Sequence, residues 1–228
     1  MMTKVQLNIQ AVTYQRFLEL KTLLNTQYTA HLSESIGENL ADIACQIVEQ
    51  VFGYLSEISA NQQQFESEHT VEQIISTIRK HLPWSMQLLN QQRLQSLIDD
   101  LAHMTTVKNG QIWLTYPITH RLAQQLQQQY QALAQSPQHI AAAFSTVIEI
   151  IDQGVTQLVR EPKKKLKFNF VVDKSLAGVI GLTTQMGYKR LEKMGNQLTP
   201  AQAAAYLQHF LNFIQISNHQ GSQHDHTA

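Results

Sequence analysis

The chain has 228 residues, 43% of them hydrophobic and 15% charged, with a formal net charge of zero. That length and apolar fraction are enough to bury a sizeable core, and they exclude a wholly disordered chain. A neutral total excludes a protein that coats nucleic acid with its whole surface. The charge is nevertheless uneven: residues 1–159 carry 8 Lys/Arg against 13 Asp/Glu, and residues 160–193 carry 9 against 3, so a local anion-binding surface is expected there.

The opening "MMTKVQLNIQ" lacks the apolar core of a signal peptide, and no stretch is long and apolar enough to span a bilayer. A cytoplasmic protein without a membrane partner is the expectation. Helical spacing then begins, with Phe17, Leu20, Leu24 and Tyr28 on one face, and Ile36, Leu40, Ile43, Ile47, Val51 and Leu55 on the next. Ser33 or Ser35 is the expected cap of that second helix, with Glu38 completing a capping box after Ser35. Cys45 lies on its apolar face, where a buried inert thiol is expected rather than a nucleophile, which needs a basic and exposed setting. The glutamine-rich stretch 60–70 reads as a linker or helix start. It is followed by a helix ended by Pro83 and another through "WSMQLLNQQRLQSLIDDLAHM".

The pattern changes at "MTTVKNGQIWLTYP", where Asn109-Gly110 between β-branched and aromatic flanks predicts a hairpin with a type I′ turn. Helix resumes after Pro117 and again from residue 138, the latter segment containing Gly154 as either a weak point or a place of close packing. After Pro162 the alternation Leu166, Phe168, Phe170 and Val172, opposite Lys165, Lys167 and Asn169, predicts a half-buried strand that joins the hairpin. Two closing helices are expected, residues 175–195 and 201–216. Thr199 caps the second and Pro200 takes its first position, before a disordered tail from residue 217. The fold expected from these elements is mainly α with minor β: a multi-helix bundle and an antiparallel sheet of about three strands. A helical bundle over residues 1–102 precedes a mixed part over 103–216, which is either separate or continuous with it.

The segment "KSLAGVIGLTTQMGYKRLEK" resembles the opening of a helix-turn-helix, with a small residue where two helices touch, Gly181 for the turn and a hydroxyl to cap the second helix. The resemblance implies that Thr184, Gln185, Tyr188 and Lys189 face a major groove, with Arg190 and Lys193 near phosphates. It covers about 20 residues. Gly187 and Arg190 depart from it, because they stand where the second helix normally carries packing residues. "LTPAQAAAYL" resembles the first helix of excisionase-type domains, without the turn and recognition helix that should follow. The pairs Glu66/His69 and Asp100/His103, with Glu38, Asp42 and Glu149, resemble the carboxylate and imidazole sets of ferritin-like di-iron proteins. Solvated charged faces explain the pairs more simply.

No P-loop, nucleophile elbow, Rossmann glycine pattern or C-x-x-C pair occurs. Trp84 and Trp113 read as packing residues rather than stacking platforms, and His219, His224 and His226 as a tail that offers no preorganised metal site. The leading expectation is a non-enzymatic binding or adaptor protein without a cofactor, metal or catalytic residue. Its amphipathic helices form a bundle and offer a homodimer interface. A basic surface of Lys163, Lys164, Lys165, Lys167, Lys189, Arg190 and Lys193, together with Thr184, Gln185 and Tyr188, binds a protein partner or another acidic ligand. A DNA-binding regulator using the same segment is the alternative, and a carboxylate-bridged metal protein the third.

Overall fold

A computed structural model describes residues 2–26, 28–58, 64–133 and 138–217. It is mainly helical with a small antiparallel sheet. Strand β1 (Met2–Ile9) opens the chain, and its period of two places Thr3, Val5, Leu7 and Ile9 in the interior. The expected hairpin follows the first four helices as β2 (Thr105–Lys108) and β3 (Gln111–Ile118). Asn109 and Gly110 connect them at φ 54° and 75°, the two positive values that a type I′ turn requires. Against β3, β1 sets Val5 opposite Tyr116, Leu7 opposite Leu114 and Ile9 opposite Ile112, a row of buried cross-strand pairs. Strand β4 (Ile214–Ser217) pairs with the other edge of β1, giving the order β2-β3-β1-β4.

The hairpin is thus joined by β1, and β1 in turn by β4. The strand predicted around Leu166 does not form. Helix α6 (His139–Val155) runs into a π-helical turn, Thr156–Arg160, and on into α7 (Glu161–Leu166). Pro162 lies just past the wide turn and does not end the helix: a proline removes an amide from a regular ladder, and the π turn directly before it is where that ladder already departs from i to i−4 pairing. Lys167 then takes the left-handed conformation at φ 47°, which breaks any pleat. The Asn169 side chain accepts a hydrogen bond from Val172 N at 3.0 Å and starts helix α8 (Phe170–Gln197). Four alternating apolar positions fit a helix end, a cap and a new helix as well as they fit a strand.

The remaining helices are α1 (Ala11–Thr26), α2 (Ala30–Ile58), α3 (Gln64–Gln87), α4 (Gln91–His103), α5 (His120–Ala132) and α9 (Pro200–Leu211). Helix α2 starts earlier than Ser33 or Ser35 because the Thr29 hydroxyl accepts from Leu32 N at 3.0 Å; Ser33 is buried within it. Pro83 lies inside α3 rather than at its end, and Asn90 caps α4 through Arg93 N. The backbones of α2 and α3 touch there: a Cβ on Gly37 would stand 2.5 Å from Pro83 Cα. Thr199 caps α9 as predicted, in a reciprocal capping box with Gln202.

Two apolar clusters form the core. One joins Val5 and Leu7 of β1 to the end of α2, β3, α5, α6, the second half of α8 and α9; the other joins Ile9 to α1, the start of α2, α4, β3 and Leu166. Each draws on residues from both sides of residue 102. Gly154 resolves as close packing, since a Cβ there would lie 2.7 Å from Cζ of the buried Tyr116. The tail expected from residue 217 begins instead with Ser217 inside β4. Residues 218–228, with His219, His224 and His226, lie outside the described residues, as do residues 60–63 of the stretch expected as a linker or helix start, whose residues 64–70 begin α3.

Candidate functional site

The basic segment folds into α7 and α8, and its lysines are drawn into local ion pairs. Lys163 Nζ meets Asp173 at 2.6 Å, Lys164 meets Glu161 at 2.7 Å and Lys165 meets Asp100 at 2.7 Å. These pairs cancel much of the local excess of charge. Lys167 is exposed at the α7–α8 corner, and Lys174 folds over the Phe170 ring at 4.5 Å.

No helix-turn-helix is present in this segment. Helix α8 passes through Gly181 without a turn, and the hydroxyls of Thr183 and Thr184 donate to Val179 O and Ile180 O inside the same helix at 2.8 Å. The residues that resemblance grouped together are divided between faces. Gln185, Lys189 and Lys193 are exposed, Thr184 and Tyr188 are half-buried, and Gly187 and Arg190 are buried. The two positions that departed from the resemblance, Gly187 and Arg190, thus face the interior.

Tyr188 anchors the helix. Its hydroxyl donates to Asp152 Oδ1 at 2.7 Å; the same oxygen receives Arg160 Nη1 at 2.7 Å, which also donates to Thr156 Oγ1 at 3.0 Å. Asp152 precedes the π-helical turn and Arg160 closes it, so the widened backbone brings a carboxylate, a guanidinium and a phenol together. Partial burial works to raise the Asp152 carboxyl, but the hydrogen bonds from Tyr188 and Arg160 and the guanidinium charge outweigh it. The group is held below the ordinary carboxylate range. Burial, reinforced by the Asp152 carboxylate, pushes the Tyr188 phenol up, so it stays a donor.

Helix α8 packs on α6 and α3 through an inward row that includes Leu176, Gly187, Leu191 and Met194. Its outward row, residues 171, 174, 178, 181, 185 and 189, is exposed. That outer side carries the largest apolar exposure on the helix, with Phe170 at 71%, Val171 at 75% and Leu182 at 57%. Its glycines fall into two kinds. A Cβ on Gly187 would lie 3.0 Å from Phe52 Cζ, and one on Gly195 would lie 2.9 Å from Phe144 Cβ. At Gly178 and Gly181 it would meet nothing within 4 Å. The inner pair serves helix contact within the chain, and the outer pair has no such use there.

The other candidates are occupied elsewhere. Asp100 pairs with Lys165, Asp42 with Arg79 at 3.4 Å and Glu38 with Arg16 at 4.0 Å; Glu149 is exposed, and the side chain of Glu66 lies outside the described residues. Among the described residues no three His, Cys, Asp or Glu side chains are grouped to hold a metal. Burial pushes the Cys45 thiol up, against a hydrogen bond from Arg79, which disfavours the thiolate. An open recess of about 480 Å³ between the end of α1 and the start of α4 is lined by Asn25, Asn90, Gln91, Gln92 and Gln95. Carboxamides supply neither acid, base nor nucleophile. Among the described residues no helix is long and apolar enough to cross a membrane.

Sequence reasoning passed over Val171 and Gly178 and gave the others different roles, Phe170 in a strand and Gly181 and Leu182 in the opening of a helix-turn-helix. Their signal was the run "FVVDKSLAGVIGL", which is apolar around more of the helix than one inward face can bury. Comparisons with protein-family models, curated proteins and solved structures found no match, so the outer face of α8 is defined by its geometry alone.

Proposed function

We propose that the chain is a non-enzymatic binding protein, an adaptor of the cytoplasm, whose docking element is the outer face of α8. The observation that carries this reading is the exposure of Phe170, Val171 and Leu182 on a helix that is held to the core through Leu176 and, farther along, Gly187, Leu191 and Met194. Exposed apolar side chains grouped on one element mark interaction surfaces more often than isolated ones do. Lys167 and Lys189 flank the apolar stretch, and neither is in an ion pair among the described residues. They favour a protein partner with an apolar surface rimmed by acidic groups. The lysines at 163–165 contribute less, because each already has its own acid.

The test is capture from native lysate by the wild-type chain and two variants. Leu182→Asp, at a site open to solvent, should abolish recovery of a partner without unfolding the protein. Charge reversal of Lys163, Lys164 and Lys165 should change it little. Equal recovery by Leu182→Asp removes the α8 face as the docking site, and steeply salt-dependent capture of duplex DNA would move the reading to a DNA-binding regulator.

A further inference from the structure

We infer that the recess between the end of α1 and the start of α4 is a binding site for a neutral sugar, separate from the docking face of α8. Its volume of about 480 Å³ is that of a small-molecule site. Five carboxamides line it, those of Asn25, Asn90, Gln91, Gln92 and Gln95, and among the described residues no charged side chain does. A phosphate or carboxylate would find no cation there and an ammonium no anion. The lining therefore selects an uncharged ligand rich in hydrogen-bonding groups.

The two walls are fixed to each other before any ligand arrives. Gln91 Nε2, on α4, donates to Leu24 O, on α1, at 2.9 Å, and Lys21 Nζ of α1 meets Asp99 Oδ1 of α4 at 2.7 Å. Such bonds also sort the lining. Asn90 Oδ1 accepts from Arg93 N at 3.0 Å, which leaves its nitrogen to donate; Gln91 and Gln95 donate to Leu24 O and, at 3.1 Å, to Asp99 Oδ2, which leaves their oxygens to accept. Asn25 and Gln92 make no side-chain hydrogen bond among the described residues, so each offers both a donor and an acceptor. A sugar hydroxyl also donates and accepts at one atom, and a carboxamide can hold two neighbouring hydroxyls through its nitrogen and its oxygen.

Tyr28 separates a sugar from other neutral ligands. Its hydroxyl donates to Leu89 O, which holds the ring against the backbone one residue before Asn90, and Tyr28 is still 37% exposed. A pyranose has a hydroxyl rim and a face of C–H groups. It is matched by carboxamides with one aromatic ring beside them, the apolar body of the ring taking the C–H face. Because the walls are preorganised, little ordering opposes binding, whereas the openness of the site limits it to the millimolar range.

NMR of the isotope-labelled full chain tests this through the side-chain amide signals, with methyl α-glucoside, methyl α-mannoside, methyl β-galactoside and N-acetylglucosamine each titrated to tens of millimolar. At least one of them should shift the signals of the recess saturably. Asn25→Ala and Gln92→Ala remove side chains that hold nothing in the fold, and each should weaken that sugar at least about fivefold with unchanged circular dichroism. Tyr28→Leu, which keeps an apolar side chain and loses the ring, should weaken it by a similar factor. Saturation by none of the four sugars, an equal response to adenosine or to inorganic phosphate, or wild-type affinity in any of the three variants would overturn the sugar site. Leu182→Asp should leave the titration unchanged, so this site and the docking face of α8 stand or fall separately.

Discussion

Asp152 Oδ1 receives hydrogen bonds from both Tyr188 and Arg160, so it ties α8 to the π-helical turn. Tyr188→Phe removes one bond to a charged acceptor and should cost about 1 kcal/mol, read as a lower urea midpoint at unchanged slope. The Asp152 carboxyl lies below its ordinary range, so its contribution is complete above a pH of about 4 and is lost as pH falls through the depressed folded value. The stability gap between wild type and Asp152→Asn should therefore narrow on acidification below about pH 4, and a gap independent of pH would refute the pairing. Because Asp152 is 43% and Arg160 35% exposed, solvent screening keeps the effect small. Gly195 sets a stricter limit. The Cβ of alanine would press on Phe144 at its own Cβ, close to the backbone where that side chain cannot swing away. Gly195→Ala should therefore lower stability by about 1–3 kcal/mol despite alanine's better helix propensity.

At the scale of the element, α8 is a helix of two halves. From Gly187 onward it is pinned by Leu191, Met194 and close contacts with Phe52 and Phe144, whereas in its first half Leu176 is its one buried side chain. Amide hydrogen exchange should be fast over residues 170–182 and slow over 187–197, and uniform protection in a monomeric sample would contradict that division. The outer glycines give a prediction opposite in sign to Gly195. In the Leu182→Asp background, Gly178→Ala and Gly181→Ala should each raise stability by up to about 1 kcal/mol, because alanine helps the helix and meets nothing. The existence of a helix here was legible from the small and apolar residues after Ser175. Its start was not. Leu166, Phe168, Phe170 and Val172 alternate as a strand would, and only the left-handed Lys167 and the Asn169 cap show the alternation to be a junction. The basic surface was half legible: the lysines are there, but acids at 100, 161 and 173 neutralise three of them, one across 65 positions of sequence.

At the scale of the molecule, the sheet joins the two ends of the chain, since β1 lies between β3 and β4. Removing residues 2–9 would leave β4 without a neighbour and expose Tyr116, Leu114 and Ile112 along β3. That truncation should abolish cooperative thermal unfolding. The sequence by itself determined the elements whose causes are local: the Asn109-Gly110 turn with its two positive φ values, the Thr199 capping box and the helical faces of α1 and α2. Even β1 was written there, in the alternation of Val5, Leu7 and Ile9, but a strand becomes a strand only when another supplies its hydrogen bonds. Tertiary structure alone decided which segment filled that place, which lysines kept their charge toward solvent, and which glycines of α8 had their space taken. Each of these is a contact between residues distant along the chain, and no local propensity carries it.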